Sequence, residues 1–192
     1  MKWILASGSP RRQQLLCQIT EDFSVLPSQI EERRDPSWTA QELPRQLAAQ
    51  KALDVSSRNP AALVIGADTI VSLDGTVLGK PRDEADAADM LRSLSGRTHQ
   101  VYTGVAFCRD GKVLSSFVQC TEVDFYPLTE RQIQRYLATK EPFDKAGAYG
   151  IQGNGGWFVR GIRGDYFNVV GFPLARAAQE LEQLFGADKG PD

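Results

Sequence analysis

Ser7-Gly8-Ser9-Pro10-Arg11-Arg12 brings together what an oxyanion requires. Small residues let the backbone approach a ligand, Ser7 and Ser9 add hydroxyl donors, and a helix start offers free N–H groups. Arg11 and Arg12 add forked cations that match phosphate oxygens. Gly66-Ala67-Asp68-Thr69 closes an apolar run, where a carboxylate is costly unless it meets a cation or a metal. Lys80, in Leu78-Gly79-Lys80-Pro81, places one cation just after a hairpin signal. Gly75 to Lys80 is too short for a phosphate-binding P-loop, and Pro81 stands where that loop needs Ser or Thr, so a Walker site is rejected. In the glycine-dense stretch Pro142 to Gly153, the Gln152 amide both donates and accepts, as reading a nucleobase edge requires. Each segment also has a plainer reading: a capped helix with solvated arginines, a turn aspartate, a mobile surface loop. Glu31, Glu32 and Lys51, each taken alone, read as solvated charges. His99, the only histidine, reads as structural, and no Ser/His/Asp triad can be built around it.

Strands and helices must hold these segments in place. Trp3-Ile4-Leu5 reads as a buried strand, followed by a helix that opens at Pro10 and carries Leu15, Leu16 and Ile19 on one face. Phe23 to Leu26 is a second strand and Ser28 to Ser37 a polar loop. Thr39 and Glu42 form a capping-box pattern ahead of a helix with Leu43, Leu47, Ala48 and Leu53. Ala62 to Val71 is an almost unbroken apolar strand, and Asp74-Gly75 signals a hairpin. Asp83 to Leu94 is helical and ends at Gly96. Long strands, Val101 to Phe107 and Val113 to Phe125, flank Asp110-Gly111. Thr129 and Gln132 cap the next helix, Glu141 to Gly156 is irregular, Trp157-Phe158-Val159 resumes a strand, and Pro173 to Phe185 is the last helix. The tail from Gly186 is polar and is expected to be frayed. Helices and strands that mix along the chain imply an α/β fold with a mixed sheet.

Composition narrows the function classes. A chain of 192 residues with 42% hydrophobic and 24% charged residues has a real core and a mixed-sign surface. A net charge of −2 argues against a general nucleic-acid binder but leaves room for a small basic pocket. No stretch approaches a membrane span or a signal peptide, so a cytoplasmic protein without membrane partners is expected. The three cysteines, Cys17, Cys108 and Cys120, fit no zinc spacing. Cys108 and Cys120 flank a hairpin and read as buried thiols rather than a disulfide.

The ordered set of segments resembles the Maf family. The resemblance is carried by Ala6 to Arg12, Ile30-Glu31-Glu32, Lys51, Gly66 to Thr69, Gly79-Lys80-Pro81, Leu94-Ser95-Gly96, Asp144 to Gly153 and Val169 to Pro173. These span about residues 4 to 175 in the family's order; one departure is Phe172, where the family usually has Leu. The resemblance implies a Maf/inosine-triphosphatase-like α/β fold: an elongated mixed central sheet with flanking helices, forming two lobes around a cleft. A single such domain would span residues 1–186, with a polar tail over 187–192. It also implies a nucleoside triphosphate pyrophosphatase that needs a divalent cation, Mg2+ with Mn2+ as the alternative, and that is often a homodimer. The family's general base maps onto Asp68, its acidic metal-side residue onto Glu32, its phosphate-binding lysines onto Lys51 and Lys80, and its specificity positions onto Arg11, Thr69 and Gln152. The run Asp144 to Gly153 resembles the dTTP/UTP branch, which implies a pyrimidine nucleoside triphosphate as substrate. Two other classes are weighed against this: a nucleotide-binding regulator of cell division with minor hydrolysis, and a kinase, against which the failed Walker pattern counts.

Overall fold

A computed structural model describes residues 1–186; the expected tail over 187–192 lies outside the described residues. Seven strands form one sheet: β1 (Trp3–Leu5), β2 (Phe23–Val25), β3 (Leu63–Leu73), β4 (Thr76–Leu78), β5 (Thr98–Arg109), β6 (Lys112–Phe125) and β7 (Val159–Arg163). The helices are α1 (Pro10–Leu16), α2 (Glu42–Arg58), α3 (Glu84–Leu94), α4 (Glu130–Leu137), α5 (Tyr166–Val170) and α6 (Leu174–Phe185). The expected caps are present. Thr39 and Glu42 bond reciprocally, at 2.9 Å from the Thr39 N–H and 3.2 Å from the Glu42 N–H. Thr129 and Gln132 make a full capping box, and the Asp83 side chain caps α3. No described helix is long and apolar enough to cross a membrane.

The sheet order is β2-β1-β3-β5-β6-β7, with β4 also on β3. β1 runs parallel to β2 and β3; the other pairs are antiparallel, which the short hairpins at Asp74-Gly75 and Asp110-Gly111 require of β3–β4 and β5–β6. On one edge of β3, β1 covers Leu63 to Ile65 and β4 covers Val71 to Leu73. Between them Gly66 to Ile70 has no strand neighbour on that edge, while β5 pairs the other edge throughout. The sheet is thus split where Asp68 and Thr69 stand. The apolar packing divides there too. Leu63, Ile65 and Ala67 pack with α1 and α6, and Val71 and Leu73 pack with α3 and α4.

α2 lies directly on the opposite face of the sheet. A Cβ on Gly66 would stand 2.3 Å from the Ala48 carbonyl oxygen, and one on Gly104 2.3 Å from the Pro44–Arg45 backbone. Ala48 and Ala52, both fully buried, complete this small-on-small contact. Asp68 pairs with Gly104 in register, so the one carboxylate of β3 stands on the α2 face with β5 on one side and the unpaired edge on the other.

Three expectations need correction, and one helix went unread. Trp157 and Phe158 belong to a 3-10 turn (Gly153–Phe158), and the strand begins at Val159; the two glycines at 155 and 156 favour the turn over extension. α1 stops at Leu16, so Ile19 packs on the core from a turn. α5 was not legible, because only five residues separate Asp165 from Gly171. Of the cysteines only Cys108 is buried, its thiol pushed up to about 12 by burial. Cys120 and Cys17 are exposed. Cys120 pairs in register with Tyr102 and Cys108 with Val113, so the two do not face each other.

Candidate active site

A cavity of about 690 Å³ opens over the gap in the sheet. Its lining includes every residue given a site role above: Ser7 and Ser9 from the β1–α1 turn, Arg11 and Arg12 from the start of α1, Glu32 from the loop after β2, and Lys51 from α2, whereas Glu31 is not part of it. Asp68 and Thr69 come from β3, Lys80 from the segment after β4, and Gln152, which is exposed, from the glycine-rich loop. Six cationic side chains and three carboxylates line this space, although the chain as a whole carries −2. The excess of positive charge marks a pocket for a polyanion.

Its centre is a charge triad. The Lys51 ammonium lies 2.9 Å from Glu32 Oε1 and 2.5 Å from Asp68 Oδ1. The Lys51 and Asp68 side chains are 18% and 15% exposed, so this pair is shielded from solvent far more than a surface bridge. Burial pushes the Glu32 carboxyl up, but the hydrogen bond and charge of Lys51, aided by Arg34, outweigh it and leave Glu32 below its ordinary value. Singly, Lys51 and Glu32 look like surface charges in the sequence; the fold makes them partners of Asp68. Among the described residues no set of three or more His, Cys, Asp or Glu side chains converges. Two carboxylates on one ammonium nevertheless fit a hard divalent cation, which takes one or two carboxylates and completes its shell with water and phosphate oxygens.

On the other face of β3, Arg12 makes a second centre. Its Nε donates to the Gly171 carbonyl at 2.9 Å, and its terminal nitrogens donate to Ser7 Oγ and Thr69 Oγ1, each at 3.0 Å. Thr103 Oγ1 donates to the Asn168 carbonyl at 2.9 Å, so its single proton is used and the 2.9 Å contact with Thr69 is a donation from Thr69. The chain of bonds therefore runs from Arg12 through Thr69 and Thr103 to the backbone of α5. Burial lowers the Arg12 pKa, opposed by the charge of Asp68 and reinforced by that of Arg11. Three of the five guanidinium N–H groups have neutral acceptors, which leaves Arg12 a half-buried positive charge at the cavity wall.

The rim is pinned by the glycine-rich loop. The Gly147 N–H donates to the Gly79 carbonyl at 3.0 Å, next to Lys80. Gly147 has φ +68°, and a Cβ there would press on Val71 at 2.9 Å. Only glycine fits this turn. Asp144 bridges Arg11, at 3.5 Å, and Lys145, at 2.6 Å. Arg34, Asp144 and Lys145 are cavity residues that the sequence reading did not single out; Asp144 and Lys145 lay within a motif already noted, whereas no spacing signal marks Arg34. His99 lies outside the cavity, fully buried, with Nε2 2.7 Å from the Tyr149 hydroxyl.

The model of the family described as Maf-like protein matches residues 2–184. A dTTP/UTP pyrophosphatase of Bacillus cytotoxicus is 50% identical over 183 residues, covering 95% of either chain. One of Halalkalibacterium halodurans is 51% identical over 179 residues, covering 93% of this chain and 94% of that one. Among solved structures, the nucleoside-triphosphatase / dITP/XTP pyrophosphatase of Mycobacterium abscessus superposes with a TM-score of 0.50. It is 13% identical and covers 96% of this chain and 99% of its own, a likeness of fold alone.

Proposed function

The chain belongs to the Maf-like protein family, and from that premise we propose that it hydrolyses dTTP and UTP to the monophosphate and pyrophosphate. The observation that carries the reading is the Glu32–Lys51–Asp68 triad within a cavity of net positive charge. A pocket that only bound phosphate would need the cations; two carboxylates beside them serve a water that must be activated.

In this reading Arg11, Arg12, Lys51 and Lys80 neutralise the triphosphate and steady the charge that builds on the pyrophosphate leaving group. Ser7 and Ser9 donate to phosphate oxygens. Asp68 orients water and accepts its proton. Lys51 holds Asp68 Oδ1 at 2.5 Å and so fixes the direction of the carboxylate. Glu32 and Asp68 would hold a divalent cation, Mg2+ or Mn2+, which when bound supplies further charge neutralisation and a more acidic water. Gln152 reads the carbonyl and ring N–H edge that thymine and uracil share, and the Arg12–Thr69 chain forms another part of the cavity wall.

The test is kcat/KM for dTTP, UTP, ATP and GTP with Mg2+, read as pyrophosphate release. Efficient release from dTTP and UTP with poor turnover of the purines is expected. Binding of nucleotides without release would instead leave the regulatory reading.

A further inference from the structure

Glu32 reaches Lys51 from a segment, Leu26 to Ser37, that contains neither strand nor helix. Such a segment has many conformations, and a carboxylate on it would sample many positions. Side chains of α2 remove that freedom. Gln50 Oε1 accepts from the Arg33 main-chain N–H at 2.9 Å, and Gln50 Nε2 donates to the Arg33 carbonyl at 2.8 Å. One turn further along, Asp54 Oδ2 accepts from Ser28 Oγ at 2.8 Å and from the Gln29 N–H at 3.2 Å, with Arg58 on the same oxygen at 2.8 Å.

The Gln50 contact differs in kind from the Asp54 one. It engages both main-chain groups of one residue, as a neighbouring strand would, and so fixes the plane of that residue as well as its place. With carboxylates ionised, a side-chain amide is the group that offers a donor and an acceptor side by side. Gln50 also adjoins Lys51 in the chain, as Arg33 adjoins Glu32. One clamp thus ties the backbone that carries the carboxylate to the helix that carries the ammonium. We infer that Gln50 is a positioning residue for this site: through the Arg33 backbone it holds Glu32 on Lys51 and beside Asp68. This rests on the role given to Glu32 above.

The experiment compares Gln50→Ala, Glu32→Gln and the double variant with the wild type. It reads Tm, hydrogen exchange of residues 28–34, and kcat and KM with dTTP and Mg2+. Gln50→Ala is expected to keep Tm near the wild type while exchange in that segment quickens. Its kcat should fall about 10- to 100-fold, the range for losing a partner that orients a catalytic or metal-side group, with a smaller change in KM. In the Glu32→Gln background the same change should cost less than about 2-fold, because the group it positions is already disabled. Gln50→Glu keeps the acceptor for the Arg33 N–H but loses the donor, and should fall between the two. A Gln50→Ala enzyme with full kcat where Glu32→Gln is impaired would overturn the inference. So would an undiminished Gln50 effect in the Glu32→Gln background. If Glu32→Gln proves fully active, the proposed role of Glu32 falls; unchanged exchange in Gln50→Ala would then overturn the clamp as well, and quickened exchange would uphold it.

Discussion

Gly66→Ala isolates the contact that brings α2 down onto the sheet. The added Cβ would lie 2.3 Å from the Ala48 carbonyl oxygen, 2.9 Å from Ala52 Cβ and 3.0 Å from the Ala52 nitrogen. Two of these are backbone atoms of a buried helix, so no flexible side chain can yield. To bring the closest contact to 3.0 Å, α2 must lift by about 0.7 Å, the shift that overpacking forces on a filled core. Lys51 lies between Ala48 and Ala52 on that helix, so the lift draws its ammonium away from Asp68 Oδ1, now at 2.5 Å. Overpacking of this kind costs about 1–3 kcal/mol, which for a chain of this size lowers Tm by about 2–4 °C per kcal/mol. Misplacement approaching 1 Å in a catalytic group costs up to about 10²-fold in rate, so a loss of at least about 10-fold in kcat for dTTP is expected. Gly161→Ala serves as the control, since a Cβ there meets nothing within 4 Å. Thermal melts and pyrophosphate release on both variants decide the matter. If Gly66→Ala melts and turns over like Gly161→Ala, close approach of α2 does not set the Lys51–Asp68 geometry.

Other residues give further expected outcomes. His99 is held near 4 by burial, opposed by the charge of Asp124, against 6.5 when free, and its Nδ1 has no partner. The unfolded chain therefore binds a proton there that the folded chain does not, so stability is full above 6.5 and declines as pH falls toward 4. By pH 5 this one group removes about 2 kcal/mol, and melts of His99→Leu between pH 7 and 5 should show a shallower decline; an unchanged slope would refute it. Arg12→Lys cannot serve Gly171, Ser7 and Thr69 together, and should cost about 1–3 kcal/mol of stability and at least about 10-fold in kcat/KM; a stable variant of normal activity would show that the fork is not needed. Gln152→Glu removes the amide donor at an exposed position and should shift the ranking of triphosphates without a change in Tm; an unchanged ranking would end its role in base reading.

Much of this architecture can be read from the chain because local signals and tertiary need agree. The capping boxes at Thr39 and Thr129, the Asp74-Gly75 and Asp110-Gly111 turns, and the apolar run into Gly66 each state their element without help from distant residues. α5 failed to register because five residues give no helical period, and Trp157-Phe158 misled because aromatic residues favour strands when glycines do not intervene. At the site, the oxyanion segment and Asp68 announce themselves by residue type. Lys51 and Glu32 do not. Their meaning comes from the helix crossing at Gly66 and Gly104 and from the Gln50 clamp, which are contacts between segments remote in sequence. The chain of bonds from Arg12 to Asn168 is invisible for the same reason, since it crosses from α1 through β3 and β5 to α5.

The central claim is that this site splits a pyrimidine triphosphate between its α and β phosphates, with Asp68 as the base. Asp68→Asn keeps the shape of the side chain and removes its charge, so one measurement is direct: products of dTTP with Mg2+, separated and quantified, for wild type and Asp68→Asn at matched foldedness. The wild type is expected to yield dTMP and pyrophosphate in equal amounts, and the variant to lose at least about 10²-fold in rate. Release of dTDP and inorganic phosphate by the wild type, or a folded Asp68→Asn protein with near-normal turnover, would contradict it.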